Sequence, residues 1–137
     1  MIIVANKEEM PIIREQDVIP FRNRVKDYAV KAGMSILNQT KLITAASELV
    51  RNLLKYGGGG RVKIEAVTSG REVGVRLTFE DKGPGIKDID LAMRDGYSTG
   101  RSMGLGLPGT KRLVNVFDIK SELGMGTTVT IIKWKNG

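Results

Sequence analysis

A run of four glycines, Gly57 to Gly60, separates two kinds of hydrophobic periodicity in this chain. Before the run, apolar residues recur every three or four positions, which predicts one helix from Asp17 to Gly33 and another from Ser35 to Tyr56. After the run, apolar and polar residues alternate over 61–68 and 72–79, which predicts a β-hairpin. A helix with a single apolar face must bury that face, and the neighbouring sheet is the surface available.

The C-terminal half is expected to combine helices with strands. A short helix is predicted around 89–94, ahead of a stretch rich in glycine and serine. A further helix starting at Leu107 places the following proline in the tolerant first turn, and strands are predicted at 118–123 and 127–134. This last helix is expected to carry three apolar residues inward, namely Leu113, Val114 and Phe117.

The N-terminus is expected to add an edge hairpin. Two short apolar runs, 2–5 and 10–13, surround a polar segment, and Pro11 cannot donate to a central ladder. In order, these elements predict an α/β (α+β) two-layer sandwich with the helices on one face of a mixed, mostly antiparallel sheet. With 137 residues, no internal repeat and no linker, the chain is expected to form a single domain, 1–137.

The composition limits the metal ligands, catalytic groups and partners that the chain can have. The chain has no Cys and no His, which excludes disulfides, thiolate or imidazole metal ligands and a histidine general base. A metal ion could therefore be bound only through oxygen, which favours Mg²⁺. The net charge of +7 suits an anionic ligand or an acidic partner, but the basic residues form no block and aromatics are only 5%, which argues against nucleic acid. The apolar runs are too short for a membrane helix or a signal peptide, so a cytoplasmic location without membrane association is expected.

The first motif lies on the second predicted helix. Glu48 and Asn52 are spaced i, i+4 and project from the same face, and Lys55 continues the row. Asn supplies a neutral oxygen to Mg²⁺, Glu can accept a proton from an attacking hydroxyl or water, and Lys can neutralise phosphate charge. Taken alone, such a row is more often a solvated polar face.

The second motif follows a predicted strand. Asp81 leads into a turn, Lys82 to Ile86, in which Gly83 and Gly85 permit positive φ and close backbone approach. A carboxylate in this place can accept a hydrogen bond from the exocyclic amine of adenine. An ordinary Asp-led turn is the alternative interpretation.

The third motif is a glycine-rich stretch, Gly100 to Gly106, that opens a helix near Leu107. The free N–H groups at a helix start can bind phosphate oxygens, and the polar residues around Thr99 suit a mobile lid. A flexible surface loop has the same composition. The order of the three motifs nevertheless points to ATP bound with Mg²⁺.

Together these motifs resemble those of the GHKL (Bergerat-fold) ATP-binding superfamily of gyrase-type, chaperone, histidine-kinase and anti-sigma kinase proteins. Segment 47–52 resembles the N box of that superfamily, 81–85 its first glycine box, 104–107 its second, and 126–128 its terminal Gly-Thr element. Within the superfamily, segments 80–86, 95–99, 104–113 and 132–134 most resemble the RsbT-like switch kinases of bacterial stress signalling. These are small serine/threonine kinases that phosphorylate STAS-domain antagonist proteins.

The resemblance implies ATP and Mg²⁺ as cofactors and a role for each matching residue. Glu48 would be the general base, Asn52 the Mg²⁺ ligand and Asp81 the residue that reads adenine, while Thr127 would support the adenine contact through water. The nucleotide-binding residues implied in this way are Asn52, Lys55, Tyr56, Asp81, Gly83, Gly85, Ile86, Thr99, Gly100, Gly104, Leu105, Gly106, Leu107 and Thr127.

Some parts of the chain match the family less well. Lys55 and Tyr56 resemble the Lys-Tyr pair with which histidine kinases contact phosphate and base, which is a more distant parallel. The four-glycine run and the N-terminal hairpin are departures from the family pattern that the sequence does not explain.

The resemblance leaves several functions to weigh. A protein serine/threonine kinase acting on a STAS-domain protein fits best, and such proteins also activate a serine phosphatase by contact. A nucleotide-gated binding module, such as an anti-sigma factor that binds a sigma factor, is the alternative. A detached histidine-kinase domain is disfavoured, because that class usually carries an amide where Glu48 stands. A gyrase-type ATPase would need transducer and dimerisation segments for which this length leaves no room.

Overall fold

The computed structural model of the chain describes residues 1–85, 93 and 106–137. The helix predicted around 89–94 and most of the glycine-rich stretch lie outside these residues.

Three helices lie within the described ranges: α1 (Val18–Lys31), α2 (Ile36–Lys55) and α3 (Leu107–Leu113), with a 3₁₀ turn at Glu15–Asp17 ahead of α1. The predicted start of α2 is confirmed, because the Ser35 hydroxyl accepts a hydrogen bond from the N–H of Asn38 at 3.1 Å. The predicted stop of α1 is also confirmed, since Gly33 has a φ of +82°. Among the described residues, no helix is both long and apolar enough to cross a membrane.

The sheet has five strands in the order β1-β2-β3-β5-β4, and every neighbouring pair is antiparallel. The strands are β1 (Ile3–Ile12), β2 (Gly60–Ser69), β3 (Glu72–Asp81), β4 (Val116–Glu122) and β5 (Gly126–Trp134). The predicted hairpin between β2 and β3 is confirmed, and so is the two-layer α/β sandwich.

The core lies between the helices and one face of the sheet. Leu42 and Leu53 on α2, Ile64 on β2 and Leu77 on β3 are each at most 3% exposed. Burial of a side chain of this size stabilises the fold by about 1.5–3 kcal/mol relative to exposure. This packing fixes the orientation of α2 on the sheet and therefore determines which α2 side chains lie outside the core, where a ligand could reach them.

The N-terminal hairpin predicted from the sequence is wrong, because β1 is one continuous strand of 10 residues paired with β2. The polar segment between the two apolar runs remains in the ladder. Its side chains alternate, so that Glu8 faces the helices and its carboxylate accepts hydrogen bonds from Arg24 on α1. The edge position expected from Pro11 is correct.

The C-terminal helix is shorter than predicted, and Phe117 lies on β4 instead. Val114 is already extended, with φ −125° and ψ 166°. Asn115 then donates its N–H to the carbonyl of Ile132 at 2.9 Å and accepts the N–H of Trp134 at 2.8 Å. These bonds to β5 draw the chain into the sheet, whereas the sequence pattern favoured another helical turn.

An ion pair joins β2 and β3 on the sheet face away from the helices. Glu65 stands opposite Arg76, whose Nε and Nη2 donate to the two carboxylate oxygens at 2.8 and 3.1 Å. The Glu65 side chain is only 7% exposed, so solvent screens this pair weakly. The hydrogen bonds from Arg76 hold the pKa of Glu65 below its usual value.

Replacing Glu65 by Gln should lower the free energy of unfolding at pH 7 by about 1–3 kcal/mol, because Arg76 loses its charged partner. A carboxyl group with a lowered pKa in the folded state contributes stability above its unfolded pKa of about 4.5 and loses that contribution as the pH falls. The difference between wild type and Glu65→Gln in urea denaturation should therefore shrink as the pH is lowered from 7 through the acid range.

The matched control is Glu9→Gln, since Glu9 forms a longer ion pair of 3.6 Å with Arg61 between well-exposed side chains. Glu9→Gln should change stability little at any pH. A Glu65→Gln effect that is independent of pH would contradict an electrostatic role for the pair.

Candidate functional site

A cavity lies between the C-terminal half of α2 and the end of the sheet where β3 finishes. It encloses about 510 Å³, part of it open to solvent. Its walls are largely apolar, formed by Leu49, Leu53, Phe79, Leu107, Ile119 and Val129. Its polar side chains are those of Asn52, Tyr56, Asp81 and Thr127, and Gly57 and Gly85 complete the described lining. An apolar slot with few polar groups suits a flat heterocycle whose orientation is fixed by one or two hydrogen bonds.

The Asp81 carboxylate is the acidic group of this cavity. Its Oδ1 accepts the N–H of Gly83 at 2.8 Å and the N–H of Thr127 at 3.2 Å. Among the described residues, none donates a hydrogen bond to Oδ2, so this oxygen can still accept one from a ligand. The sequence prediction that Asp81 ends a strand and enters a glycine turn is confirmed.

Thr127 lies beside Asp81 at the start of β5. Its backbone N–H reaches Asp81, while its hydroxyl lies 2.8 Å from the Ser121 hydroxyl. Ser121 also donates to the carbonyl of Gly126 at 3.1 Å. Sequence reasoning missed Ser121, which only the register between β4 and β5 brings opposite Thr127.

The four-glycine run, which the sequence left unexplained, is required by backbone conformation at two positions and by a lack of space at the other two. Gly58 and Gly59 have φ of +74° and +96°. At Gly57 and Gly60 the need is for space, because a Cβ would lie 2.6 Å from the Asp81 carboxylate and 2.0 Å from the carbonyl oxygen of Glu80, respectively. The run itself was a signal for these requirements, because one glycine is enough to end a helix and the chain has four in succession.

The last turns of α2 place Asn52 and Tyr56 in the cavity. Lys55 is exposed, with its Nζ 5.3 Å from the centre of the Tyr56 ring, and does not belong to the lining. No group of three or more acidic residues that could hold a metal ion is found in the described part of the chain. The amide oxygen of Asn52 could serve Mg²⁺, an ion that usually keeps several waters and takes further ligands from substrate phosphates.

Glu48 faces a second, separate groove. This groove encloses about 980 Å³ including open solvent, and it is lined by α1, α2 and the start of α3, with Arg22 and Arg51 as its basic residues. The Glu48 carboxylate accepts a hydrogen bond from Arg51 at 3.1 Å and packs against Gly106, where a Cβ would lie 3.0 Å from the Glu48 side chain. The two residues spaced i, i+4 therefore line different cavities: Asn52 lines the cavity that contains Asp81, and Glu48 lines the groove.

The glycine boxes are described in part. Gly85 has a φ of +80°, and Gly106 has a φ of +67° directly before α3. Leu107 is 2% exposed and closes one side of the Asp81 cavity. The remaining candidates, Ile86, Thr99, Gly100, Gly104 and Leu105, lie outside the described residues.

Comparison with known proteins identifies relatives. The family model described as histidine kinase-, DNA gyrase B- and HSP90-like ATPase matches residues 37–136. The serine/threonine-protein kinase RsbT of Bacillus subtilis is 41% identical over 123 residues, which covers 90% of this chain and 92% of that protein. An anti-sigma F factor of Clostridium kluyveri is 35% identical over 100 residues, 69% of each chain.

A solved structure shows the same fold. The RsbU and RsbW domains of a protein from Mycobacterium tuberculosis match 94% of this chain with a TM-score of 0.61 and 18% identity. The chain spans 32% of the length of that structure. Since the family model covers well over half of the sequence, the resemblance inferred from the motifs is confirmed: the chain belongs to the family of histidine kinase-, DNA gyrase B- and HSP90-like ATPases.

Proposed function

We propose that this chain phosphorylates a serine or threonine of a STAS-domain antagonist protein in a bacterial stress or sigma-factor partner-switching pathway. The chain is a serine/threonine-protein kinase of the partner-switching kind, on its relationship to the RsbT kinase and to anti-sigma factors. The structural observation that carries the proposal is the position of α2 between two cavities. One cavity suits a nucleotide, and the other presents a carboxylate to an open, basic groove.

The proposed site for the substrate ATP is the Asp81 cavity. Asp81 Oδ2 accepts a hydrogen bond from the exocyclic amine of adenine, while its Oδ1 is held by the N–H groups of Gly83 and Thr127. The apolar walls exclude water from the base, and Tyr56 contacts it from the end of α2.

The phosphates extend towards α3 and the segment before it. Asn52 donates its amide oxygen to Mg²⁺, and the ion when bound neutralises charge on the phosphate oxygens. The backbone of Gly106 and Leu107, with that of Gly104 and Leu105, holds the phosphates, and Lys55, whose Nζ lies 5.3 Å from the centre of the Tyr56 ring, adds a positive charge. The support for these assignments is the match to the family's second glycine box together with the position of Leu107 in the cavity lining.

The proposed general base is Glu48. Its carboxylate accepts the proton of the acceptor hydroxyl as that oxygen attacks the terminal phosphorus, and the bond from that phosphorus to the β,γ-bridging oxygen breaks to release ADP. Glu48 lies in the groove and not in the nucleotide cavity, which suits an acceptor that arrives on a separate protein. Arg22 and Arg51, with the chain's net charge of +7, favour an acidic partner.

A second candidate function is binding of a sigma factor, which the relatives named anti-sigma F factor favour. Contact activation of a serine phosphatase belongs to the same proposal. We further propose that residues 1–137 form one ATP-binding kinase domain that works in the cytoplasm, with neither nucleic acid nor membrane as a partner.

Incubation with Mg²⁺-ATP and a panel of purified STAS-domain proteins should label at least one of them on Ser or Thr. The phosphate should be acid-stable, because phospho-Ser and phospho-Thr are esters, whereas phospho-His is acid-labile. Mass spectrometry after acid treatment locates the site, and binding of the labelled partner should weaken as salt rises. An acid-labile product would favour the histidine-kinase alternative, and binding without any transfer would favour the binding module.

Substitutions on α2 should separate proton transfer from metal binding. Glu48→Gln should keep nucleotide affinity and lose roughly 10²–10⁴-fold in transfer rate, because a general base acts on the transition state. Asn52→Ala should weaken both Mg²⁺-ATP binding and transfer. Single-turnover kinetics and calorimetry measure the two effects.

Two substitutions serve as controls: Glu72→Gln at the far end of β3 and Asn23→Ala on α1, both at exposed positions. Both control variants should behave as wild type. Normal transfer by Glu48→Gln would remove the general-base role, and normal Mg²⁺-ATP binding by Asn52→Ala would remove the metal role.

Asp81→Asn should weaken ATP binding by about 1–3 kcal/mol, because an amide can present a donor where the adenine amine needs an acceptor. The wild-type chain should prefer ATP over GTP for the same reason. Calorimetry with both nucleotides tests this, and circular dichroism should show an unchanged fold. Equal wild-type affinity for ATP and GTP would contradict the role of Asp81.

A further inference from the structure

We propose that Gly57 is a positioning residue that keeps the ligand-facing oxygen of Asp81 open, and that it thereby sets the preference of the cavity for adenine. This inference rests on the proposed role of Asp81 in adenine recognition. Gly57 would not contact the base through a side chain; its contribution is the space that its missing Cβ leaves.

The backbone at Gly57 does not itself require glycine. Gly57 follows the C-cap of α2, and its N–H donates to the carbonyl of Asn52 at 3.2 Å. It is not among the glycines with positive φ, a group that includes its neighbours Gly58 and Gly59. Other residues could therefore adopt the backbone conformation of Gly57 without strain.

The space around Gly57 does require glycine. A Cβ at this position would lie 2.6 Å from both Cγ and Oδ2 of Asp81 and 2.7 Å from its Cβ. Such distances are shorter than those real Cβ atoms show, so either Asp81 or the end of α2 would have to move. All three of these nearest atoms belong to the Asp81 side chain, which makes the conflict specific to one residue.

The Asp81 side chain cannot move aside without losing hydrogen bonds. Its Oδ1 is held by the N–H groups of Gly83 and Thr127, and rotation of the carboxylate away from Gly57 breaks those hydrogen bonds. The oxygen that meets the added Cβ is Oδ2, the one left for the ligand. Even a methyl group at Gly57 therefore acts on the acceptor that would distinguish adenine from other bases.

Gly58 provides a matched control in the adjacent position. It has a φ of +74°, so alanine there is strained, but a Cβ would meet nothing within 4 Å. Gly58→Ala should thus destabilise the chain without touching Asp81. Gly57→Ala should instead displace the Asp81 side chain, and it should do so without backbone strain.

The test compares ATP with inosine triphosphate, which carries a carbonyl in place of the adenine amine. Calorimetry with Mg²⁺ gives both affinities for wild type, Gly57→Ala, Gly58→Ala and Asp81→Asn, and thermal unfolding gives their stability. Wild type and Gly58→Ala should prefer ATP. Gly57→Ala and Asp81→Asn should lose about tenfold or more in ATP affinity and approach the affinity for inosine triphosphate, since both lose an aligned acceptor.

A second comparison covers the case in which Gly57→Ala is too unstable to titrate. Asp81→Gly removes all three atoms that the new Cβ would meet. The double variant Gly57→Ala/Asp81→Gly should then melt no lower than Asp81→Gly alone. A further drop in the double variant would show that Gly57 serves the backbone and not Asp81.

The outcomes separate the two proposals. If Asp81→Asn loses the ATP preference and Gly57→Ala keeps it, the positioning role of Gly57 is overturned and the role of Asp81 stands. If Asp81→Asn keeps the preference, the adenine-reading role fails and the inference about Gly57 fails with it. Loss of the preference in Gly58→Ala would also overturn the inference, because strain alone would then be sufficient.

Discussion

The fixed carboxylate of Asp81 is the constraint on which the end of the sheet depends. Its Oδ1 ties the turn after β3 to the start of β5 through two backbone hydrogen bonds. Neighbouring backbone must approach closely for this to happen: a Cβ at Gly126 would lie 2.2 Å from the Asp81 carbonyl oxygen, and one at Gly57 would meet the carboxylate. A charged group that is hydrogen-bonded on one oxygen holds neighbouring backbone segments together and leaves its other oxygen able to accept a hydrogen bond from a ligand.

Helix α2 supplies the rest of the site because its apolar face is already committed to the core. Leu42, Leu49 and Leu53 are buried against the sheet, which leaves the opposite edges of the helix to line two cavities. Glu48 and Asn52 are therefore held by a packed helix, whose precision a loop could not match. The ion pair from Arg51 and the contact with Gly106 further restrict Glu48.

Local signals made much of this predictable. The Ser35 cap and the apolar stripe defined α2, and the alternation after the glycine run defined the β2–β3 hairpin.

Elsewhere, contacts between residues distant in sequence decide the structure, and local patterns did not predict them. Pairing with β2 keeps β1 continuous, with Glu8 turned towards Arg24 on α1, and bonds to β5 end α3 before Phe117. The spacing of Glu48 and Asn52 indicated a common face, but only the packed structure shows a cavity on each side of that face. The steric role of Gly57 was equally invisible, because its neighbour Asp81 is distant in sequence.

Because α2 is a wall of both cavities, a compound can fill one without entering the other. If ATP and the protein substrate bind as proposed, a heterocycle seated between Leu49, Phe79 and Val129 would displace the nucleotide and leave the groove at Glu48 open to protein. An acidic peptide bound beside Arg22 and Arg51 would obstruct the protein and leave nucleotide in place. On the proposed function, the two cavities offer separate routes to inhibition, of which only the first has to compete with ATP.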